Sequence, residues 1–306
     1  MSRPRLRPAD YRPLLRAALR EDLGAAGDVT TACFVPRSAR LKGRVVSRED
    51  GVVCGLEVAA AAFKACEPRA KVRLLVRDGA RVKPGTAVLA VSGGRGLLTA
   101  ERTALNFLQR MSGVATLTRL YADRVRGTRA RIYDTRKTLP GWRVLDKHAV
   151  ACGGGVNHRM GLYDAAMVKD NHYAGSLEDG ARALRRRFPG LPLIVEVDRP
   201  SQVARALALR PAVLLLDNMP PAVLKKEILR VRRLAPKVRI EVSGRVSLDT
   251  VRAVARLGPD RISVGRLTHS APALDLGLDL ARSWRAGRRA RRLGDLRPRS
   301  SGGADG

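Results

Sequence analysis

Six short apolar runs recur between residues 131 and 265, each closing on a polar residue or a glycine. They are 131–134, 165–169, 193–197, 213–217, 239–243 and 261–265. Helix-patterned stretches lie between several of them, at 176–188, 200–209, 221–234 and 247–257. Strands alternating with helices about every 20 to 35 residues imply parallel βαβ units. Six such units favour a closed barrel over an open doubly wound sheet. No GxGxxG follows the first strand, which argues against a dinucleotide-binding fold. In a βα barrel the active site forms at the carboxyl ends of the strands. Those ends carry Lys169, Glu196, Asp217, Ser243-Gly244 and Gly265, a set that a purely structural barrel does not need.

Ahead of the barrel, residues 11–23 read as an amphipathic helix. Residues 39–98 read as short strands and turns, with Asp78-Gly79 and Pro84-Gly85 as turn chemistry and a helix over 56–66. This is a small β-rich domain. Residues 99–108 look helical, Ser112-Gly113 interrupts the helix, and 114–126 resumes it, so the domain boundary is placed at that interruption.

The net charge of +31 raises a nucleic-acid function. Lys, however, supplies only 10 of the 59 basic residues, and the arginines are spread along the whole chain, as a skewed codon composition would give. Aromatic residues make up 4%, too few for base-stacking platforms. No specific nucleic-acid partner is expected. The one basic cluster, from Arg282 to Arg299, leads into a Ser/Gly terminus and reads as a solvated, disordered tail. The longest apolar runs are strand-sized, so no membrane span is expected. The basic residues 1–7 lead into a segment containing Arg16, Arg20, Glu21 and Asp22, unlike a secretory signal, which makes the cytoplasm the expected compartment. Cys33, Cys54, Cys66 and Cys152 are scattered, with no CxxC pair and no His at ligand spacing. They are expected to be buried thiols, with neither a zinc site nor a disulfide framework.

The densest stretch runs DTRKTLPGWRVLDKHAVACGGGVNHRMGLYDAAMVKDNH from Asp134 to His172. Arg136-Lys137 follow a strand end, His158-Arg159 follow the Gly153-Gly154-Gly155 loop, and Lys169 ends the next strand. Taken singly, any of these cations is as readily a solvated surface charge. Together, at one barrel mouth, they describe a site for a multiply anionic ligand, with Arg suited to carboxylates and Lys to phosphate. Glu196 and Asp217 end successive strands on the same mouth and suggest a divalent ion, Mg²⁺, shared with phosphate oxygens. Backbone N–H groups at Ser243-Gly244 and Gly265 can hold a terminal phosphate.

These segments resemble the quinolinate phosphoribosyltransferase family. The resemblance rests on DTRKT-x-PG, GGG-x-NHR-x-GL and KDNH, on ERTALNFLQRMSGVAT around Arg102, and on IVEVD, LLDN, EVSG and ISVGRLTHS. It also includes the opening EDLGAAGDVTT, and it runs from about residue 10 to about 280 in the family's order. It implies an N-terminal α/β sandwich domain over 1–113, with 275–292 packing back on it. A C-terminal, incomplete TIM-like α/β barrel would span 114–274, and the tail 293–306. It further implies a homodimer, or a larger assembly, in which Arg102 reaches across the interface. Arg136, Lys137, His158 and Arg159 would line the quinolinate carboxylates, with Lys169 nearby. Glu196 and Asp217 would hold Mg²⁺ and the ribose of phosphoribosyl pyrophosphate, and Ser243, Gly244 and Gly265 its 5′-phosphate. Lys137, Lys169, Glu196 and Asp217 are the residues expected to serve catalysis. Arg245 and Arg266, beside the phosphate site, stand where most of the family is expected to have small or uncharged residues; they either add positive charge there or follow from the Arg bias of the whole chain. The rival readings are a paralogous transferase for another aromatic acid and a nucleic-acid binder on an inactive barrel. The complete cationic clamp disfavours the first, and the retained Glu196 and Asp217 disfavour the second.

Overall fold

The computed structural model describes residues 6–172 and 175–281. The basic cluster and tail beyond Ala281, and the part of 275–292 past that residue, lie outside the described residues.

The chain opens with α1 (Pro8–Leu23) and α2 (Val29–Phe34), then β1 (Leu41–Ser47), β2 (Gly51–Val52), α3 (Leu56–Cys66), β3 (Lys71–Leu74), β4 (Arg81–Val82) and β5 (Ala87–Gly93). A long helix, α4 (Gly96–Arg124), leads into β6 (Arg131–Tyr133), α5 (Arg143–Gly153), β7 (Ala166–Val168), α6 (Leu177–Arg187), β8 (Leu193–Val197) and α7 (Val203–Ala208). The chain continues through β9 (Val213–Asp217), α8 (Pro221–Leu234), β10 (Arg239–Ser243), α9 (Val251–Arg256), β11 (Arg261–Ser263), α10 (Arg266–His269) and β12 (Leu276–Leu280).

The N-terminal sheet is antiparallel, in the order β12-β1-β5-β3. Its outer strand is supplied by the far end of the described chain, with Val45 opposite Leu278. Helix α3 covers this sheet with an almost wholly apolar face; Val58, Ala62 and Phe63 are fully buried.

The second sheet is six-stranded and parallel, in the order β6-β11-β10-β9-β8-β7. Its two edges are consecutive in sequence. Between them, among the described residues, an isolated bridge joins Tyr133 to Val156 and no continuous ladder closes the barrel. The segment 156–164 fills that gap: Val156 N donates to Ile132 O and Arg159 donates to Ala165 O. Strand alternation sets Ile194, Val213 and Leu215 inward as a small separate core. The opposite faces of the same strands (Val195, Leu214, Leu216) join the main core under the helices.

The expected break at Ser112-Gly113 does not occur, because α4 runs through both residues. Their small size serves close packing instead. Ser112 Oγ bonds the backbone of Cys54 at 2.9 Å, and a Cβ on Gly113 would lie 1.9 Å from Pro272 O. A glycine inside a helix costs about 1 kcal/mol, and here it permits a backbone approach that no larger residue allows.

Candidate active site

A cavity of about 770 Å³ opens at the carboxyl ends of the parallel strands. Its anionic side is built by β8, β9 and β10. Asp217 ends β9 directly opposite Ser243 on β10, and its carboxylate accepts from Ser243 Oγ at 2.5 Å and from Asn218 Nδ2 at 2.7 Å. Glu196, one strand over, accepts from Lys169 Nζ at 2.5 Å. These carboxylates are therefore aimed by neighbours rather than left to sample rotamers. Below them, fully buried Glu241 accepts from Ser263 Oγ and lies 3.2 Å from His158 Nε2.

The cationic side comes from the loops after β6 and α5. Asp134, fully buried at the end of β6, accepts from Lys147 Nζ and from the backbone N of His158. Lys147 in turn donates to His158 O. This network pins the segment after the glycines to the strand end. Asp164 holds its far side by accepting from the N–H groups of Met160 and Gly161. Burial pushes the Asp134 carboxyl up to about 6 even beside Lys147, and the same burial lowers the Lys147 ammonium. Both shifts say that desolvation outweighs the mutual attraction.

Arg136 and Arg159 project from this scaffold into the cavity. Burial, and then the like charge of Arg136, push the Arg159 guanidinium below its usual value. The Nε of Arg136 is buried without a hydrogen-bond partner. Two arginines held against their own repulsion, one with an orphaned donor, offer a donor set suited to carboxylates. Lys137 lies across from Gly265, where a Cβ would come 3.0 Å from Lys137 Cδ.

At the remaining corner the backbone takes unusual conformations. Asn218 and Arg245 both have left-handed φ values, 53° and 49°, and Gly244 lies between the strand end and Arg245 at 92°. Each non-glycine example costs of order 1 kcal/mol. A Cβ on Gly244 would sit 2.2 Å from Asn218 Oδ1.

Twelve of the thirteen sequence-derived site residues line this one cavity. The exception is Arg102, which lies exposed on α4 and does not line it. His158 is less available than expected, since its Nδ1 accepts from the N–H of Arg159 at 2.7 Å and its Nε2 faces Glu241. It therefore aims Arg159 from below. Sequence reasoning missed Glu241, Asn218 and His269 as lining residues. Glu241 was reachable from the two-residue period that places it on the same face as Ser243. Asn218 carried no comparable signal.

The cysteine expectation also needs correction. Cys54 and Cys152 are buried, but Cys33 is exposed and Cys66 is half-buried. His148 stands four residues before Cys152 on α5, and its Nε2 lies 3.4 Å from the Cys152 sulfur. A histidine at ligand spacing is therefore present.

Two family models match the chain: "Quinolinate phosphoribosyl transferase, N-terminal domain" over residues 28–112 and "Quinolinate phosphoribosyl transferase, C-terminal domain" over 114–279. The chain is similar to the nicotinate-nucleotide pyrophosphorylase [carboxylating] of Mycobacterium leprae, with 47% identity over 88% of this chain and 96% of that protein. It is similar also to the chloroplastic protein of that name from Arabidopsis thaliana, at 37% identity over 92% and 87%. Among solved structures, the nicotinate-nucleotide pyrophosphorylase of Ehrlichia chaffeensis superposes with a TM-score of 0.84 at 36% identity, covering 89% of this chain and 98% of that one. The Francisella tularensis structure gives 0.85 at 31% identity, covering 92% and 99%.

Proposed function

The chain belongs to the quinolinate phosphoribosyltransferase family, and from that membership and the cavity we propose the reaction and the role of each group. The enzyme transfers the phosphoribosyl group of phosphoribosyl pyrophosphate to quinolinate with loss of CO₂, giving nicotinate mononucleotide and pyrophosphate for NAD biosynthesis. The observation that carries the reading is the pairing, in one cavity, of a half-buried arginine pair with aimed carboxylates across from it.

Quinolinate presents two carboxylates on a pyridine ring. Arg136 and Arg159 clamp them bidentately, and Lys137 supplies further positive charge. The clamp fixes the ring so that its nitrogen faces the anomeric carbon of the ribose, converting an encounter into a positioned attack. Glu196 and Asp217 lie where positive charge develops on the ribose as its bond to pyrophosphate lengthens, and they stabilise that oxocarbenium-like centre. Lys169 neutralises Glu196 in the resting site. The nitrogen–carbon bond forms as pyrophosphate departs. The resulting pyridinium draws the electrons released when the adjacent carboxylate leaves as CO₂, and the ring carbon it leaves then takes up a proton from solvent. No tuned acid or base is needed, and none is assigned to His158, whose Nδ1 accepts from the N–H of Arg159 and whose Nε2 lies 3.2 Å from Glu241.

Hard carboxylate oxygens at two adjacent strand ends, open to the cavity, suit Mg²⁺, which takes one or two protein carboxylates and completes its shell with phosphate oxygens and water. Glu196 and Asp217 would hold it, and it would supply charge neutralisation on the pyrophosphate. Ser243, Gly244 and Gly265 would hold the 5′-phosphate, with Arg245 and Arg266 adding positive charge there.

Arg102 completes the reading in a homodimer, where it would enter the partner's cavity from exposed α4. The cytoplasm is the compartment that suits this reading. Among the described residues no helix is long and apolar enough to cross a membrane.

The test offers the protein quinolinate or nicotinic acid with phosphoribosyl pyrophosphate and Mg²⁺ and follows mononucleotide formation. Product from quinolinate alone supports the reading. Preference for nicotinic acid would reassign the substrate to a monocarboxylate and leave the phosphate site standing.

A further inference from the structure

Away from the catalytic cavity, Cys54, Asp78, His148 and Cys152 bring one potential ligand atom each to a common point, all within 4.8 Å of one another. None of the four lines the catalytic cavity. They come from three places: Cys54 follows β2, Asp78 lies in the turn before β4, and His148 and Cys152 occupy one face of α5. We propose that they form a tetrahedral Zn²⁺ site that ties the N-terminal β-rich unit to the barrel helix α5.

The geometry already has the dimensions of such a site. Zinc bonds of about 2.3 Å to sulfur and about 2.0–2.1 Å to nitrogen and oxygen place tetrahedral ligand atoms about 3.3 to 3.8 Å apart. His148 Nε2 lies 3.2 Å from Asp78 Oδ2 and 3.4 Å from Cys152 Sγ, and Cys54 Sγ lies 3.9 Å from Asp78 Oδ2. The donor chemistry narrows the ion. Two thiolates and an imidazole are poor ligands for Mg²⁺ or Ca²⁺, and a mixed Cys₂-His-Asp set with no open protein position is of the structural zinc type.

Outer partners aim the ligands. The N–H groups of Gly55 and Leu56 both donate to Asp78 Oδ1 at 3.1 Å, which turns Oδ2 toward the cluster. The Cys54 backbone N–H is fixed by Ser112. Three of the four residues are at least nine-tenths buried, and Asp78, the most exposed, leaves a path for entry.

The placement gives the ion a function. Lys147, immediately before His148 on α5, holds Asp134 and the backbone of His158, and the glycine loop begins one residue after Cys152. An ion anchoring α5 would fix the base of the quinolinate clamp. The site stands on its own residues, independent of the transferase reading.

Cobalt reads the site directly. The full chain, reduced and stripped by a chelator, is titrated with Co²⁺ and then with Zn²⁺. One equivalent of Co²⁺ should produce thiolate-to-cobalt charge transfer and d–d bands of tetrahedral intensity, and one equivalent of Zn²⁺ should abolish them. Protein purified anaerobically should carry one zinc per chain by mass spectrometry of the elements. Cys152→Ser and Cys54→Ser should each lose more than about 100-fold in affinity, beyond what outer partners of a metal site carry. The Cys33→Ser/Cys66→Ser variant should keep the full signal. Absence of charge transfer in the folded wild-type chain, whatever the variants do, would overturn the proposal. So would a Cys54–Cys152 disulfide and no metal in anaerobically purified protein.

Discussion

Asp134 and Lys147 meet at 2.5 Å with neither side chain more than 1% exposed. Asp134 follows the first barrel strand and Lys147 lies on the following helix, so the pair couples the two elements that carry the proposed quinolinate clamp. Breaking a buried pair from one side strands a charge and costs about 3–5 kcal/mol. Lys147→Met is therefore expected to lower stability by that order in denaturant unfolding. The double variant Asp134→Leu/Lys147→Met should lose clearly less than the sum of the two single changes.

The same pair predicts a pH effect. Burial raises the Asp134 carboxyl from its ordinary 3.8 to about 6, so the folded chain holds this proton more tightly than the unfolded one. Its contribution is fully present below about pH 4 and is lost as pH rises through about 6. At 1.36 kcal/mol per unit, the loss is at most about 3 kcal/mol. The stability difference between wild type and Asp134→Asn, measured from pH 4 to 7, should shift against wild type over that window. A shift in favour of wild type would mean that attraction to Lys147 outweighs burial.

Gly244 and Gly265 give a graded test of the phosphate corner. Gly244→Ala places a Cβ 2.2 Å from Asn218 Oδ1 at a left-handed φ of 92°, whereas Gly265→Ala comes only within 3.0 Å of the flexible Lys137 side chain. Gly244→Ala should raise KM for phosphoribosyl pyrophosphate by about tenfold or more, the equivalent of about 1.4 kcal/mol. Gly265→Ala should have a smaller effect, and neither should alter discrimination between aromatic acids.

Glu196→Gln keeps the shape of the site and removes its charge. If the carboxylate stabilises charge developing on the ribose, kcat should fall by about 10²–10³ with little change in KM for quinolinate. A change confined to KM would assign Glu196 to ground-state binding.

Much of this site was legible in the sequence because strands have a period of two and a direction. Lys169, Glu196, Asp217, Ser243 and Gly265 sit at the ends of apolar runs, and parallel pairing brings such ends to one mouth. The clamp loop was legible through its glycines and clustered cations. Helix α4 was misread because Ser112-Gly113 looks like a breaker, and only the tertiary approach of Pro272 shows why small residues stand there. Asn218 was missed because its left-handed turn has no residue signature. The Cys54–Asp78–His148–Cys152 cluster was missed because its members come together from distant turns, and the single local clue, His148 one helical turn before Cys152, was overlooked.

The most direct test of the central claim follows the carbon that leaves. With quinolinate labelled at the 2-carboxylate, phosphoribosyl pyrophosphate and Mg²⁺, the account predicts one labelled CO₂ released per nicotinate mononucleotide formed. It also predicts that Arg136→Ala lowers both together by about 10² or more in kcat/KM, the loss expected for a buried bidentate contact. Mononucleotide formed without labelled CO₂, or full activity in Arg136→Ala, would contradict the assignment of the arginine clamp to the quinolinate carboxylates.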